Sequence, residues 1–113
     1  MRLPNADRAI VEPAKVRDYL LSSEHPVGRA KARFFAALGF TRDNWPELQA
    51  ALLAHAAAGE AELGAATLYG QKYTIRGILQ GPTGRPASIV AAWMILQDED
   101  APRFVTAYPG ERL

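Results

Sequence analysis

"KYTIRGILQGPTGRPASIVAAWMIL" (Lys72–Leu96) is the stretch that decides the fold. Its opening alternates. Tyr73, Ile75 and Leu79 fall on one side and Lys72, Thr74 and Arg76 on the other, the period of a strand with one buried face. "GPTGR" (Gly81–Arg85) is a run of turn residues, the signal of a hairpin loop. "SIVAAWMIL" (Ser88–Leu96) is apolar without a break, as a central strand covered on both faces is, and it places Trp93 in the core. After the charged turn "DEDAP" (Asp98–Pro102), "RFVTAYP" (Arg103–Pro109) reads as a last strand, stopped by Pro109-Gly110. Before the hairpin, "EAELGAAT" (Glu60–Thr67) is Ala-rich and fits either helix or strand, and "ATLYG" (Ala66–Gly70) offers a short first strand.

Upstream of Gly59 the apolar period is helical. Short, β-prone "RAIVE" (Arg8–Glu12) leads in, and Pro13 is pre-set for the first turn of a helix whose apolar side is Val16, Tyr19 and Leu20. Ser22–Pro26 ends it. A second helix runs from about Val27 to Leu38, closed by Gly39 in a left-handed conformation, with Phe40 folding back onto the last turn. In "TRDNWPELQ" (Thr41–Gln49), Asn44 or Asp43 can cap, Pro46 suits a first turn and Glu47 can complete a capping box. The third helix, Trp45 to about Ala58, sets Trp45, Leu48, Leu52 and His55 on one side. Helices first and strands afterwards predict an α+β fold: about three N-terminal helices packed on one face of a four-stranded antiparallel sheet. That is one domain over 1–113, with a helical part at about 13–58 and a sheet part at about 65–109.

Composition narrows the chemistry. The chain has 113 residues, 49% of them hydrophobic and 22% charged, which is enough apolar material for a real core. The net charge of +1 is no diffuse basic cloud, so any anion site must be local. The absence of cysteine excludes disulfides, a thiol nucleophile and thiolate-bound zinc. Two histidines without a carboxylate cluster predict no metal site, and no glycine-rich phosphate loop or dinucleotide fingerprint suggests a cofactor. No run approaches the length of a membrane span or signal peptide, so the expectation is a cytoplasmic domain with no membrane partner, or a piece of a larger delivered protein.

Lys31 is the residue out of place. At about 100° per residue it shares a helix face with Val27, Phe34, Phe35 and Leu38. A buried, unpaired ammonium costs several kcal/mol, so Lys31 must either snorkel out past the helix edge or meet an anion. His25 stands just before the same helix, where outward N–H groups and the dipole favour an anion and where an imidazole can exchange protons near neutral pH. Arg29, on the outer side, can reach a phosphate. Lys72 and Arg76, with Thr74 between them, form a cationic row on a sheet face that the core does not need. Thr106 and Tyr108 are expected to project on the same side as Phe104, offering an orienting hydroxyl and a phenol that can stack or donate a proton. For each of these an ordinary solvated or snorkelling role is the alternative. His55, near a helix C-terminus, reads as structural, favoured there when protonated.

"LPNADRAIVEPAKVRDYLLSSEHPVGRAKARFFAALGF" (Leu3–Phe40), "YGQKYTIRGILQGPTGR" (Tyr69–Arg85) and "FVTAYP" (Phe104–Pro109) together resemble a bacterial family of unknown function. "HPVGRAKARFF" (His25–Phe35) and "VTAYP" (Val105–Pro109) also resemble pieces of bacterial ribonuclease toxins of the barnase, EndoU, colicin and RelE type. That resemblance implies N-terminal helices before a four-stranded antiparallel sheet. It also implies a site made by a histidine near the helices, basic residues, and a Thr or Tyr on the last strand. Here those are His25, Lys31, Thr106 and Tyr108, with Arg29, Lys72 and Arg76 holding substrate. The implied activity is metal-independent cleavage of RNA by attack of the 2′-hydroxyl on phosphate, with RNA and a cognate antitoxin or immunity protein as partners. The other reading is a non-catalytic interaction module of a toxin–antitoxin or immunity system. A third is a small anionic ligand at the helix N-terminus.

Overall fold

The structure is a computed structural model that describes residues 1–26 and 28–110. A 3-10 turn (Ala6–Arg8) precedes α1 (Pro13–Lys15), which continues as a π-helical turn through Val16–Leu20. Then come α2 (Gly28–Ala37), a second 3-10 turn (Arg42–Asn44), α3 (Trp45–Ala58) and the strands β1 (Glu60–Ala66), β2 (Gly70–Gln80), β3 (Pro86–Leu96) and β4 (Arg103–Pro109). The strands form one antiparallel meander in the order β1-β2-β3-β4. This is the α+β order expected, helices first and a four-stranded sheet afterwards. Val27, expected to open the second helix and its apolar stripe, lies outside the described residues.

Local chemistry explains the boundaries. Pro13 occupies the first turn of α1. Gly39 has φ 99°, a left-handed conformation that costs glycine nothing. Phe40 N–H then donates back to the Phe35 carbonyl at 3.0 Å, which carries the Phe40 ring into the core. The capping box lies one turn earlier than expected. Thr41 and Asn44 bond reciprocally around the 3-10 turn, with Thr41 N–H donating to Asn44 Oδ1 at 2.6 Å, and Glu47 takes no part.

The core lies between the helices and one sheet face. Trp93, Phe35, Phe40, Leu20, Leu48, Leu52 and Ile75 are its largest fully buried side chains. β2 alternates as its sequence requires: Tyr73, Ile75 and Leu79 are buried, while Lys72 and Arg76 are exposed. On β3, Val90, Ala91, Ala92 and Trp93 are all buried, so both faces of the central strand are covered. The outer face is covered by cross-strand rows: Arg76, Val90 and Tyr108 lie side by side, as do Thr74, Ala92 and Thr106.

Two expectations are corrected. The first strand is Glu60–Ala66, so the sheet begins at Glu60, and Leu68-Tyr69 form the turn after it. Pairing with β2 supplies what the Ala-rich sequence lacks in strand propensity. The second correction concerns β4. Ala92 pairs with Thr106 but Trp93 pairs with Phe104, so Val105 is an extra residue in a bulge. Phe104 and Ala107 both face the core, opposite Trp93 and Ala91. Thr106 and Tyr108 therefore do not share a side with Phe104.

Candidate functional site

The site grows from a close approach of the π-helical turn Val16–Leu20 to the start of α2. A Cβ at Gly28 would fall well inside contact distance of the Tyr19 carbonyl oxygen, so a glycine is required where α2 begins. This approach puts Tyr19, on the π-helical turn, against the side of α2 that carries Lys31. Lys31 Nζ donates to Tyr19 Oη at 2.7 Å and stands 5.1 Å from the centre of its ring.

The other half comes from β4. Lys31 Nζ also donates to Thr106 Oγ1 at 2.8 Å, and Tyr19 Oη lies 3.2 Å from the same oxygen. Ammonium, phenol and hydroxyl thus form a closed triangle at the edge of the sheet, drawn from three separate elements. The bulge at Val105 is the local device that re-aims the edge strand there. Lys31 is half-buried, and among the described residues no carboxylate lies within ion-pair distance of it. Its ammonium is held by two hydroxyl oxygens, with no carboxylate beside it among the described residues.

The phenol of Tyr19 responds. Burial alone pushes its pKa up, but the hydrogen bonds from Lys31 and Thr106 and the charges of Lys31 and Lys15 outweigh burial. The pKa is lowered from its ordinary value. A phenol that ionises more readily beside a cation can take a proton from an alcohol.

His25 joins the triangle through Tyr19. Their rings meet edge to face, 5.0 Å between centres. Ser22 Oγ accepts from the backbone N–H groups of Glu24 and His25, which folds the loop. Gly28 N–H donates to His25 Nδ1 at 3.0 Å, so the imidazole caps the first turn of α2 and its ring proton sits on Nε2.

The remaining sequence candidates lie elsewhere. Tyr108 is 42% exposed and shares its cross-strand row with Val90 and Arg76 on the outer sheet face. Among the described residues it makes no hydrogen bond to the triangle. Lys72 and Arg76 are exposed on that outer face, Arg76 within 3.8 Å of Glu62. Arg29 lies on the other side of α2 from Lys31, beside Arg33 and Phe40. His25, Lys31 and Thr106 are therefore brought together, while Lys72, Arg76 and Tyr108 extend along the outer sheet face that Thr106 shares and Arg29 lies across α2.

In the sequence Tyr19 is only part of an apolar helix side. Its hydroxyl partner on β4 is 87 residues away, beyond the reach of local pattern. The one local signal was Gly28 at a helix start, a glycine whose purpose is the close approach of another backbone. His55 is buried, with its pKa lowered by burial against the opposing backbone contacts of Gly77 and Ile89. It is a buried ring held toward its neutral form, not the protonated helix-end residue expected. Among the described residues no three of His, Asp and Glu gather as metal ligands, and no helix is long and apolar enough to cross a membrane.

Comparison with known proteins gives matches of two kinds. The model of a family described as a domain of unknown function, DUF6883, matches residues 2–111. Among solved structures, a chain of a contact-dependent growth inhibition toxin–immunity protein complex from Klebsiella pneumoniae 342 superposes with a TM-score of 0.69 at 16% identity. The match covers 95% of this chain and 97% of that one. At that identity the likeness is one of fold. No curated protein sequence matches.

Proposed function

We propose that this chain, which belongs to the DUF6883 family, is a ribonuclease domain of a toxin–immunity pair that cleaves RNA without a metal ion. The observation that carries this reading is the Lys31 ammonium, fixed by Tyr19 Oη and Thr106 Oγ1 and without a carboxylate among the described residues. Cleavage by an internal alcohol needs an acceptor for the 2′-hydroxyl proton, a cation for the crowded phosphorane and a proton for the leaving oxygen. In this mechanism ionised Tyr19 takes the 2′-hydroxyl proton as O2′ bonds to phosphorus. The P–O5′ bond breaks, leaving a 2′,3′-cyclic phosphate. Lys31 stabilises the phosphorane and gives a proton to O5′, then recovers one from Tyr19 along their shared hydrogen bond. The cycle closes with no net gain or loss of protons on the protein.

Thr106 orients the phosphate, and His25 donates from Nε2 to one of its oxygens. Tyr108 offers its exposed ring to a base, with Lys72 and Arg76 on the same outer face and Arg29 beyond α2 meeting flanking phosphates. The fold likeness to a chain from a toxin–immunity complex supports a proteinaceous partner. The test is expression in bacteria of wild type beside Lys31→Ala and Tyr19→Phe, with RNA termini mapped. Growth arrest with new 2′,3′-cyclic phosphate ends, lost in both variants, is expected. A wild type that neither arrests growth nor cleaves RNA overturns the reading.

A second reading, the domain as the non-catalytic protein-binding member of such a pair, has its own observation. Leu63, Leu68 and Tyr69 are 63%, 89% and 77% exposed around the β1–β2 hairpin, an apolar end suited to a protein partner. Co-purification of a tight partner from the host, with no cleavage of RNA once the partner is removed, selects it.

A further inference from the structure

On the far side of α2 from Lys31 lies a second concavity, of about 430 Å³. Its lining includes Leu21 and Phe40, both buried, and the small side chain Ala36. Arg29, Arg33 and Arg42 complete it. Arg29 and Arg33 are one helical turn apart, both exposed, and neither guanidinium makes an ion pair or hydrogen bond among the described residues. Arg42 is pre-positioned: its Nε donates to the Arg17 carbonyl at 3.2 Å and its Nη2 to Asp18 Oδ1 at 3.0 Å. Among the described residues Asp18 is thus the one carboxylate engaged with the arginines here, and it also pairs with Arg17 at 2.9 Å.

Three guanidinium groups around an apolar floor make an unusual concavity for a chain whose net charge is only +1. We infer that this pocket is a nucleotide subsite, taking one base of single-stranded RNA on the Leu21–Ala36–Phe40 floor and the neighbouring phosphates on Arg29 and Arg33. Guanidinium planes stack on bases and bind phosphate in a bidentate way, which lysines do not. The inference rests on the ribonuclease reading and extends it. The Ser22–Pro26 loop runs between the two sites, with Ser23 on the pocket and His25 on the triangle. One helix diameter, about 10–12 Å, separates opposite sides of α2, a span that a few nucleotides of single strand can cross. The strand would pass round the N-terminal end of α2, so cleavage would depend on nucleotides beyond the scissile phosphate.

The experiment is fluorescence anisotropy of the full chain with a labelled, 2′-O-methylated single-stranded oligoribonucleotide, which cannot be cleaved, over a salt series. Arg29→Gln/Arg33→Gln is expected to weaken binding about 20-fold at 0.1 M salt and to flatten the log–log salt slope by about 1.4, two phosphate contacts' worth. Ala36→Phe fills the floor from an exposed position and is expected to weaken binding several-fold with the slope unchanged. If wild type binds and both variants match it in affinity and slope, the subsite is overturned and the ribonuclease reading stands. If wild type does not bind the oligonucleotide, the ribonuclease reading falls, and this inference with it. Arginine variants that keep RNA binding but lose an acidic protein partner would reassign the pocket to a protein.

Discussion

Replacing Lys31 by methionine should leave stability almost unchanged while activity falls steeply. Methionine keeps the stem and removes the charge. The loss is two hydrogen bonds from a charged donor, to Tyr19 at 2.7 Å and Thr106 at 2.8 Å, together about 2–3 kcal/mol for a half-solvated group. Against this, the desolvation cost of a half-buried ammonium disappears. A half-buried methionine also contributes about 1 kcal/mol of apolar burial beside Phe34 and Phe35. The two sides nearly cancel, leaving a change within about 1 kcal/mol of zero, or about 4 °C in Tm for a chain of this size. RNA cleavage should fall about 100- to 1,000-fold, the usual effect of deleting one group that stabilises developing charge. Thermal unfolding followed by circular dichroism, beside a fluorogenic cleavage assay on the same preparation, measures both. A variant that loses about 3 kcal/mol or more of stability would make Lys31 a structural residue. A variant that cleaves like wild type would refute the chemistry assigned to the triangle.

Three further outcomes follow from particular contacts. Tyr19→Phe keeps the ring against His25 and removes the lowered phenol, so cleavage should collapse and the alkaline rise in rate should disappear from the pH profile. Because the folded pKa of Tyr19 lies below its unfolded value, wild type should also gain stability over this variant as pH rises through the folded pKa towards 10. His55 has a folded pKa below its unfolded value near 6.5, so the unfolded chain takes up the proton first. Urea midpoints should hold above pH 6.5 and fall as pH drops below it, and His55→Leu should blunt that fall. Gly28→Ala drives a methyl into the Tyr19 carbonyl and should cost about 1–3 kcal/mol while parting Lys31 from Tyr19. Near-wild-type stability and cleavage in that variant would mean that this close approach does not set the site.

The parts of the fold that could be read from the sequence are those where local and global preferences agree. Gly39 and Pro46 sit where helices end and begin, and the alternation of β2 followed by Gly81–Arg85 leaves little choice but a hairpin. β1 stays ambiguous in the sequence because Glu60–Ala66 is Ala-rich and becomes a strand by pairing with β2. The bulge was missed because register belongs to two strands at once, and no single strand records it. The site divides in the same way. Lys31 and His25 were conspicuous against a local pattern, one for a charge on an apolar stripe and the other for its place at a helix start. Tyr19 broke no local rule, since a tyrosine on an apolar helix side is ordinary, and only the fold brings Thr106 to its hydroxyl.

The bulge at Val105 has a consequence for how variation in this family acts. Deleting Val105 would leave Phe104 opposite Trp93, Thr106 opposite Ala92 and Ala107 opposite Ala91, so every core pair would survive in an uninterrupted ladder. What would be lost is the local turn of the strand that aims Thr106 at Lys31 and Tyr19. Part of the site is therefore written in the length of the chain rather than in the identity of any residue. A scan of point substitutions would pass over it, whereas a relative shorter by that one residue would keep the architecture and lose the triangle.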